Sequence, residues 1–107
     1  MTRIYISGPM TGLPDLNRQA FEEAENRLQA AGYEVLNPWR LDSFRPAEMT
    51  WAERVRDDIK LMMICNAVAV LPGWLNSRGA RLETDVAHGL GWTIKPVEYY
   101  LKLKEVH

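Results

Sequence analysis

The sequence lacks the features that identify disulfide-rich, zinc-binding, membrane-spanning and secreted proteins. It contains one cysteine, Cys65, and two histidines, so it has neither a disulfide framework nor a Cys/His cluster with zinc spacing. No run approaches the ~18 apolar residues of a transmembrane helix. No apolar segment with a cleavage site precedes the first strand-like run, so no secretory signal is expected. We therefore expect a protein of the reducing cytoplasm that holds no metal and no cofactor.

An excess of positive charge is also missing. The 13 lysines and arginines are balanced by 14 aspartates and glutamates, for a net charge of -1, whereas a protein that binds the phosphate backbone of nucleic acid is normally basic. The glycine-rich signatures GxGxxG and GxxxxGK[ST] are absent, which argues against a nucleoside triphosphate site. We expect neither nucleic acid nor a membrane as a partner.

The length limits how a site can be built. A chain of 107 residues supports one layered core but no separate substrate domain, so we expect a single domain over residues 1–107. Any deep site must therefore be formed by loops at one edge of the domain or be shared with a second subunit. A homo-oligomer is the expected assembly.

Strand-like and helix-like patterns alternate along the chain. Short β-branched or apolar runs end at glycine, proline or asparagine, and the segments between them repeat apolar residues at helical spacing. Asn17 is a plausible N-cap of the first helix. We predict strands at 3–7, 33–36, 67–71 and from 93, with Pro96 at an edge or strand end. The first helix is predicted to end at Gly32, and two further helices to cover 50–65 and 79–91. Residues 37–49 are predicted to form a loop, and residues 98–105 either a helix or a strand.

The order βαβαβαβ predicts an α/β fold: a doubly wound parallel sheet of four to five strands in a flavodoxin-like or Rossmann-like three-layer α/β/α arrangement. In such sheets ligands bind beyond the carboxyl ends of the strands. The loops expected there are "SGPMTG", "NPWRLDSF" and "PGWLNSRG". The first of them either directs backbone N–H groups and the hydroxyls of Ser7 and Thr11 at an oxyanion or is only a tight turn.

Asp58 is the first acidic residue whose position needs an explanation. Helical spacing puts it on the same stripe as Trp51, Val55 and Met62, while Asp57 points away. A buried carboxylate without partners costs several kcal/mol, so it needs fixed donors or a chemical role. Asp58 is therefore either a functional acid or one half of an ion pair that ties the helix to a loop, for instance through an arginine.

Glu83 is the second such residue. In the helix predicted over 79–91, Leu82, Val86 and Leu90 form the apolar stripe, and Glu83 lies on its shoulder about one turn from the helix start. The helix dipole favours an ionised carboxylate there. Glu83 is either a nucleophile toward an electrophilic carbon such as an anomeric one or a first-turn acid that complements the dipole.

The edge loops also carry aromatic and basic side chains, each of which has either a ligand-binding or a purely structural interpretation. Trp39 and Trp74 either stack on a planar base or pack against the core. Three loop arginines either meet a 5′-phosphate or are simply solvated: Arg40, Arg45 and Arg78. Cys65 is interpreted as a small hydrophobic residue.

Three segments taken in order resemble the motif regions of the nucleoside 2-deoxyribosyltransferase superfamily. They are "RIYISGPMTG", "RDDIKLMMICNAVAVL" and "PGWLNSRGARLETDVAHGLG", and the likeness covers nearly all of residues 3–97. It is closest to a short, largely uncharacterised branch common in phages. A second, weaker likeness is to the cytokinin-nucleotide phosphoribohydrolases.

The resemblance implies roles for individual residues. It makes Glu83 the nucleophile that attacks C1′, Asp58 the acid that assists the leaving base, and Tyr5 the residue that hydrogen-bonds to the nucleophile. With the edge-loop residues above, the candidate substrate-binding residues are Ser7, Gly8, Pro9, Met10, Thr11, Gly12, Trp39, Pro72, Gly73, Trp74, Ser77, Gly79 and Ala80.

The expected function is cleavage or transfer of the N-glycosidic bond of a (deoxy)nucleoside or its 5′-monophosphate. The alternative is a protein that binds a nucleotide derivative as a sensor or sequestering agent without turnover, and a third possibility is an interaction scaffold. The sequence leaves open the base, the sugar, the need for a phosphate and the number of subunits.

Overall fold

The computed structural model describes residues 2–106 and the side chains of residues 2–104. Its strands are β1 (Arg3–Ser7), β2 (Glu34–Leu36), β3 (Ala67–Val70) and β4 (Thr93–Pro96). Its α-helices are α1 (Arg18–Ala30), α2 (Trp39–Asp42), α3 (Trp51–Met62), α4 (Arg78–Gly89) and α5 (Val97–Val106). Within the described range, none of these helices has the length and apolar character needed to cross a bilayer.

The strands form one parallel sheet in the order β2-β1-β3-β4. This confirms the predicted α/β fold with a parallel sheet, with four strands among the described residues. Because β1 lies between β2 and β3, the strand order reverses there. The carboxyl ends of β1 and β3 flank this switch point, where open parallel sheets bind ligands.

The two faces of the sheet carry different halves of the core. Ile4 and Ile6 of β1 pack against α1 and α5 in one buried cluster. Tyr5, between them, points to the opposite face and belongs to the cluster formed with α3 and α4. Since successive side chains of a strand alternate between faces, Ser7 lies on the same face as Tyr5.

Several boundaries differ from the sequence-based predictions. Asn17 is the N-cap residue of α1 as predicted, but its φ is 66° and its side chain makes no capping hydrogen bond; its Nδ2 donates instead to the carbonyl of Pro9 at 3.0 Å. The predicted loop at 37–49 contains the short helix α2. The ambiguous tail is the helix α5, and Pro96 ends β4 as expected.

The orientation of α4 was predicted wrongly. Leu82 and Leu90 are 40% and 52% exposed, so the leucine stripe faces outward. The buried face consists of Ala80, Glu83, Thr84 and Ala87. Small residues on this face let α4 approach the sheet closely, and Glu83 lies at the centre of the packed surface rather than on its shoulder.

Gly8 directly follows β1 and packs closely against Leu71, which directly follows β3. Ser7 is paired with Val70, and the amide of Leu71 donates to the carbonyl of Ser7 at 2.9 Å. A Cβ on Gly8 would lie 2.7 Å from the Cβ of Leu71, which is itself buried. Glycine is therefore required here by packing.

We predict that Gly8→Ala lowers the free energy of unfolding by about 1 to 3 kcal/mol, because the added methyl overpacks a buried contact. Gly89→Ala is the matched control, since a Cβ there meets nothing within 4 Å. Urea denaturation measures both effects. Equal stability of the two variants would show that the contact with Leu71 does not constrain residue 8.

Candidate functional site

The carboxylate of Glu83 lies between two hydroxyl groups of β1. The Tyr5 hydroxyl donates to Oε2 at 2.7 Å and the Ser7 hydroxyl donates to Oε1 at 2.7 Å. Glu83 is 5% exposed, and both donors are fully buried. These contacts follow from the fold, because Tyr5 and Ser7 share the face of β1 on which α4 packs.

Burial dominates the electrostatics of Glu83. It raises the pKa of this carboxyl to about 7, although the hydrogen bonds from Ser7 and Tyr5 lower it. The expectation that the helix dipole favours the ionised form is therefore outweighed: a dipole contributes about 0.3 to 1 kcal/mol, whereas burying a charge costs several. Near neutral pH, protonated and ionised Glu83 are both populated.

Tyr5 remains a hydrogen-bond donor under these conditions. Its pKa is raised well above its ordinary value, first by burial and then by the neighbouring charge of Glu83. The phenol therefore keeps its proton and points it at the carboxylate.

Asp58 is held by the loop between α2 and α3. Its Oδ1 accepts a hydrogen bond from Nη2 of Arg45 at 2.6 Å, and its side chain is 13% exposed. Burial raises the pKa of Asp58, and Arg45 opposes this shift. The tether to an arginine that the sequence offered as one interpretation is thus present, and Asp58 also lines a cleft.

The same arginine belongs to a four-membered ion network. Nη1 of Arg45 lies 3.5 Å from Oδ1 of Asp42, and Nη1 of Arg54 lies 2.5 Å from the same oxygen. Two arginines thus balance two aspartates. The network fixes the long loop against α3 and closes one wall of the cleft.

The cleft lies beyond the carboxyl end of β1, between the loop that follows β1 and the starts of α3 and α4, and has a volume of about 630 Å³. Glu83 and Asp58 both line it, and its size is typical of small-molecule sites. The predicted binding residues that also line it are Gly8, Pro9, Met10, Thr11, Ser77, Gly79 and Ala80. Tyr5 and Ser7 do not line the cleft themselves but hydrogen-bond to Glu83, which does.

The other predicted binding residues lie elsewhere. Pro72, Gly73 and Trp74 line a second cleft of about 680 Å³ beside α1 and α5. Trp39 packs against the core that contains α1, and its Nε1 donates to the carbonyl of Asp15. Gly12 is exposed in its loop and is not among the residues of the first cleft.

An aromatic residue that was not predicted as a site residue also lines the cleft. Trp51, assigned from its spacing to the core-facing stripe of α3, is 36% exposed and lines the cleft. The guanidinium of Arg78 lies 3.9 Å from the centroid of its ring. The pair joins the start of α3 to the start of α4 and presents an aromatic and a cationic group to the cavity.

The three loop arginines are therefore placed differently. Arg40 pairs with Glu25 at 2.7 Å outside the cleft, and Arg45 pairs with the two aspartates. Arg78 makes no ion pair with any residue in the described part of the chain and lines the cleft. Among residues 2–104, no group of three or more His, Cys, Asp and Glu side chains is placed to hold a metal ion.

The chain belongs to a family described as a domain of unknown function, DUF4406, whose model matches residues 2–96. The matched range runs from β1 to the end of β4 and includes Tyr5, Asp58 and Glu83. No curated protein matches the sequence.

Replacing Glu83 with Gln is expected to change how stability depends on pH. The folded pKa of about 7 exceeds the ordinary value of 4.5, so the folded protein holds this proton more tightly than the unfolded chain. Wild-type stability should therefore fall as pH rises from about 4.5 to about 7, by about 3 kcal/mol from this group. Glu83→Gln should lack that component.

Urea denaturation at several pH values between about 5 and 8 measures the difference. Asp85→Asn removes an exposed acid from the same helix and should retain the wild-type profile. Parallel profiles for wild type and Glu83→Gln would contradict the raised pKa.

Proposed function

We propose that this protein cleaves or transfers the N-glycosidic bond of a (deoxy)nucleoside or its 5′-monophosphate, with Glu83 as the nucleophile. The observation that carries the proposal is the Glu83 carboxylate, held by Tyr5 and Ser7 in the same cleft as Asp58. The resemblance of the three sequence segments to the nucleoside 2-deoxyribosyltransferase superfamily supports the same chemistry.

The reaction follows the two-step scheme of retaining glycosidases. An oxygen of ionised Glu83 forms a bond to C1′ while the bond from C1′ to the base nitrogen breaks, and its electron pair leaves with the base. Asp58 orients the base or supplies a proton to it. Water, or a second base, then attacks C1′ and releases Glu83.

The hydroxyls of Tyr5 and Ser7 restrict the carboxylate to one orientation. Positioning of this kind contributes to catalysis because the entropy of alignment is lost during folding rather than at each turnover. The two hydrogen bonds also lower the pKa of Glu83 against the effect of burial. They thus keep a reactive ionised fraction at neutral pH.

The remaining side chains of the cleft suit the other parts of a nucleotide. Trp51 offers a partly exposed ring on which a planar base can stack. Arg78 is a guanidinium without an ion-pair partner among the described residues, and such a group can bind a phosphate through two hydrogen bonds. A 5′-monophosphate therefore fits the charge of the cleft as well as a nucleoside does.

A second candidate function is binding without turnover. It is favoured by the observation that both oxygens of Glu83 already accept hydrogen bonds and that the residue is 5% exposed. A carboxylate satisfied in this way can serve as a fixed acceptor for a ligand. In that case the protein would retain a nucleotide intact.

We also propose a homo-oligomer in a reducing compartment. The oligomer rests on the superfamily resemblance and on the size of the chain, since one small domain leaves a shallow site. The reducing compartment rests on the single cysteine. Light scattering coupled to size-exclusion chromatography measures the number of subunits, and an elution mass of one chain would remove this part.

We predict that wild-type protein incubated with a panel of nucleosides and 5′-monophosphates releases free base, detected by mass spectrometry. Glu83→Ala should lose at least ~10²-fold in kcat/KM, because the covalent step is removed. The rate of wild type should rise with pH through about 7 as Glu83 ionises.

Asp85→Asn is the control variant and should keep the wild-type rate. Base release at the same rate by wild type and Glu83→Ala would overturn the proposed nucleophile. Thermal stabilisation by a nucleotide that survives Glu83→Gln, with the nucleotide recovered intact, would favour binding without turnover.

A further inference from the structure

Arg45 differs from the exposed arginines of the protein by its burial. Its side chain is only 7% exposed, although it belongs to a loop. Removing a guanidinium from water costs several kcal/mol unless its donors are satisfied. Arg45 meets that requirement through Asp42 and Asp58, which are themselves 13% exposed.

The geometry around Arg45 fixes one carboxylate oxygen and leaves the other available. Nη2 donates to Oδ1 of Asp58 at 2.6 Å. No described residue donates a hydrogen bond to Oδ2 of Asp58, and Asp58 lines the cleft. A carboxylate bound on one oxygen by an arginine presents the second oxygen as an acceptor in a defined direction.

The position of Arg45 is fixed in turn. Its second contact, to Asp42, is shared with Arg54 of α3, so the guanidinium is attached to the same helix that carries Asp58. Arg40 shows the contrast: it lies in the same segment of chain and pairs with Glu25, but its side chain is 51% exposed and lies outside the cleft.

We propose that Arg45 is a positioning residue: it holds Asp58 as an ionised hydrogen-bond acceptor in the cleft, and the ligand group that meets Asp58 is an N–H donor of a nucleobase. The nucleobase part rests on the proposed function. Within the scheme above, this assigns Asp58 to orienting the base rather than to donating a proton.

The charges around Asp58 make Arg45 necessary for this role. Burial and the acidic neighbours Asp42 and Asp57 raise the pKa of Asp58, while Arg45 lowers it. Glu83 of α4 and Tyr5 of β1 also face it. Arg54 on its own helix is directed to Asp42. Without Arg45, Asp58 is left in an acidic, buried environment that favours its protonated form.

The first test measures the pKa of Asp58 by NMR of ¹³C-labelled aspartate carboxyls, with the signal assigned through Asp58→Asn. In Arg45→Gln we expect the pKa to rise by about one unit or more, and in Arg45→Lys to remain near the wild-type value. Arg40→Gln removes a neighbouring ion pair and should leave it unchanged. An unchanged pKa in Arg45→Gln would overturn the inference.

The second test uses turnover. Arg45→Gln should lower kcat about 10²-fold with little change in KM, since misplacement of a catalytic group acts mainly on the reacting complex. Arg45→Lys should recover part of the loss, because it restores the charge but not the planar fork. The double variant with Asp58→Asn should be no slower than Asp58→Asn alone, since the two residues act as a unit. If the two substitutions lower kcat independently, so that their losses multiply in the double variant, the positioning role of Arg45 is contradicted.

The third test addresses the N–H donor. Wild type should prefer a nucleoside whose base carries an exocyclic amine by about tenfold or more over the same ring without it, and Asp58→Asn and Arg45→Gln should lose this preference. Equal rates on both rings in wild type would remove the donor assignment.

The tests separate this inference from the proposed function. The NMR measurement needs no substrate. If wild type releases no base from any nucleoside, that result counts against the proposed function alone. The pKa of Asp58 then still decides the role of Arg45. Should Arg45→Gln fail to fold, Arg45→Lys carries the turnover test, and an unchanged kcat in that variant would overturn the positioning role.

Discussion

The site depends on one buried carboxylate that is satisfied entirely by the first strand. Glu83 would destabilise the interface between α4 and the sheet if Tyr5 and Ser7 did not donate to its two oxygens. The same hydrogen bonds that make the packing possible also orient the carboxylate toward the cleft. Stability and the candidate chemistry therefore depend on the same three side chains, and α4 must carry small residues such as Ala80 and Ala87 to approach so closely.

On the side of the cleft formed by α3 and the loop before it, ion pairs rather than hydroxyl groups hold the carboxylates in place. Arg45 and Arg54 neutralise Asp42 and Asp58, so a loop with little regular structure is fixed against α3. Arg45 thus opposes the rise that burial causes in the pKa of Asp58. The result is a cleft with one carboxyl that titrates near neutral pH and another that is paired with an arginine.

The fold could be predicted from local pattern, whereas much of the site could not. The apolar runs of β1 and β3 specify buried parallel strands by themselves, and helical spacing correctly placed Asp58 on an inner face. The same method misplaced α4, because hydropathy gives Leu82 more weight than Ala80 or Thr84 although packing buries the smaller residues. The pairing of Arg45 with Asp58 joins a loop to a helix 13 residues away and leaves no local signature.

The proposed mechanism requires a covalent bond between Glu83 and the sugar. A 2-fluoro substituent slows both the formation and the breakdown of a glycosyl ester, because both transition states resemble an oxocarbenium ion. A 2-fluoro-nucleoside with a good leaving base therefore lets the ester accumulate, and peptide mapping by mass spectrometry detects it. We expect an added sugar mass on the peptide that contains Glu83, and none in Glu83→Gln. Steady release of base by wild type with no adduct, or an adduct on a different residue, would rule out Glu83 as the nucleophile.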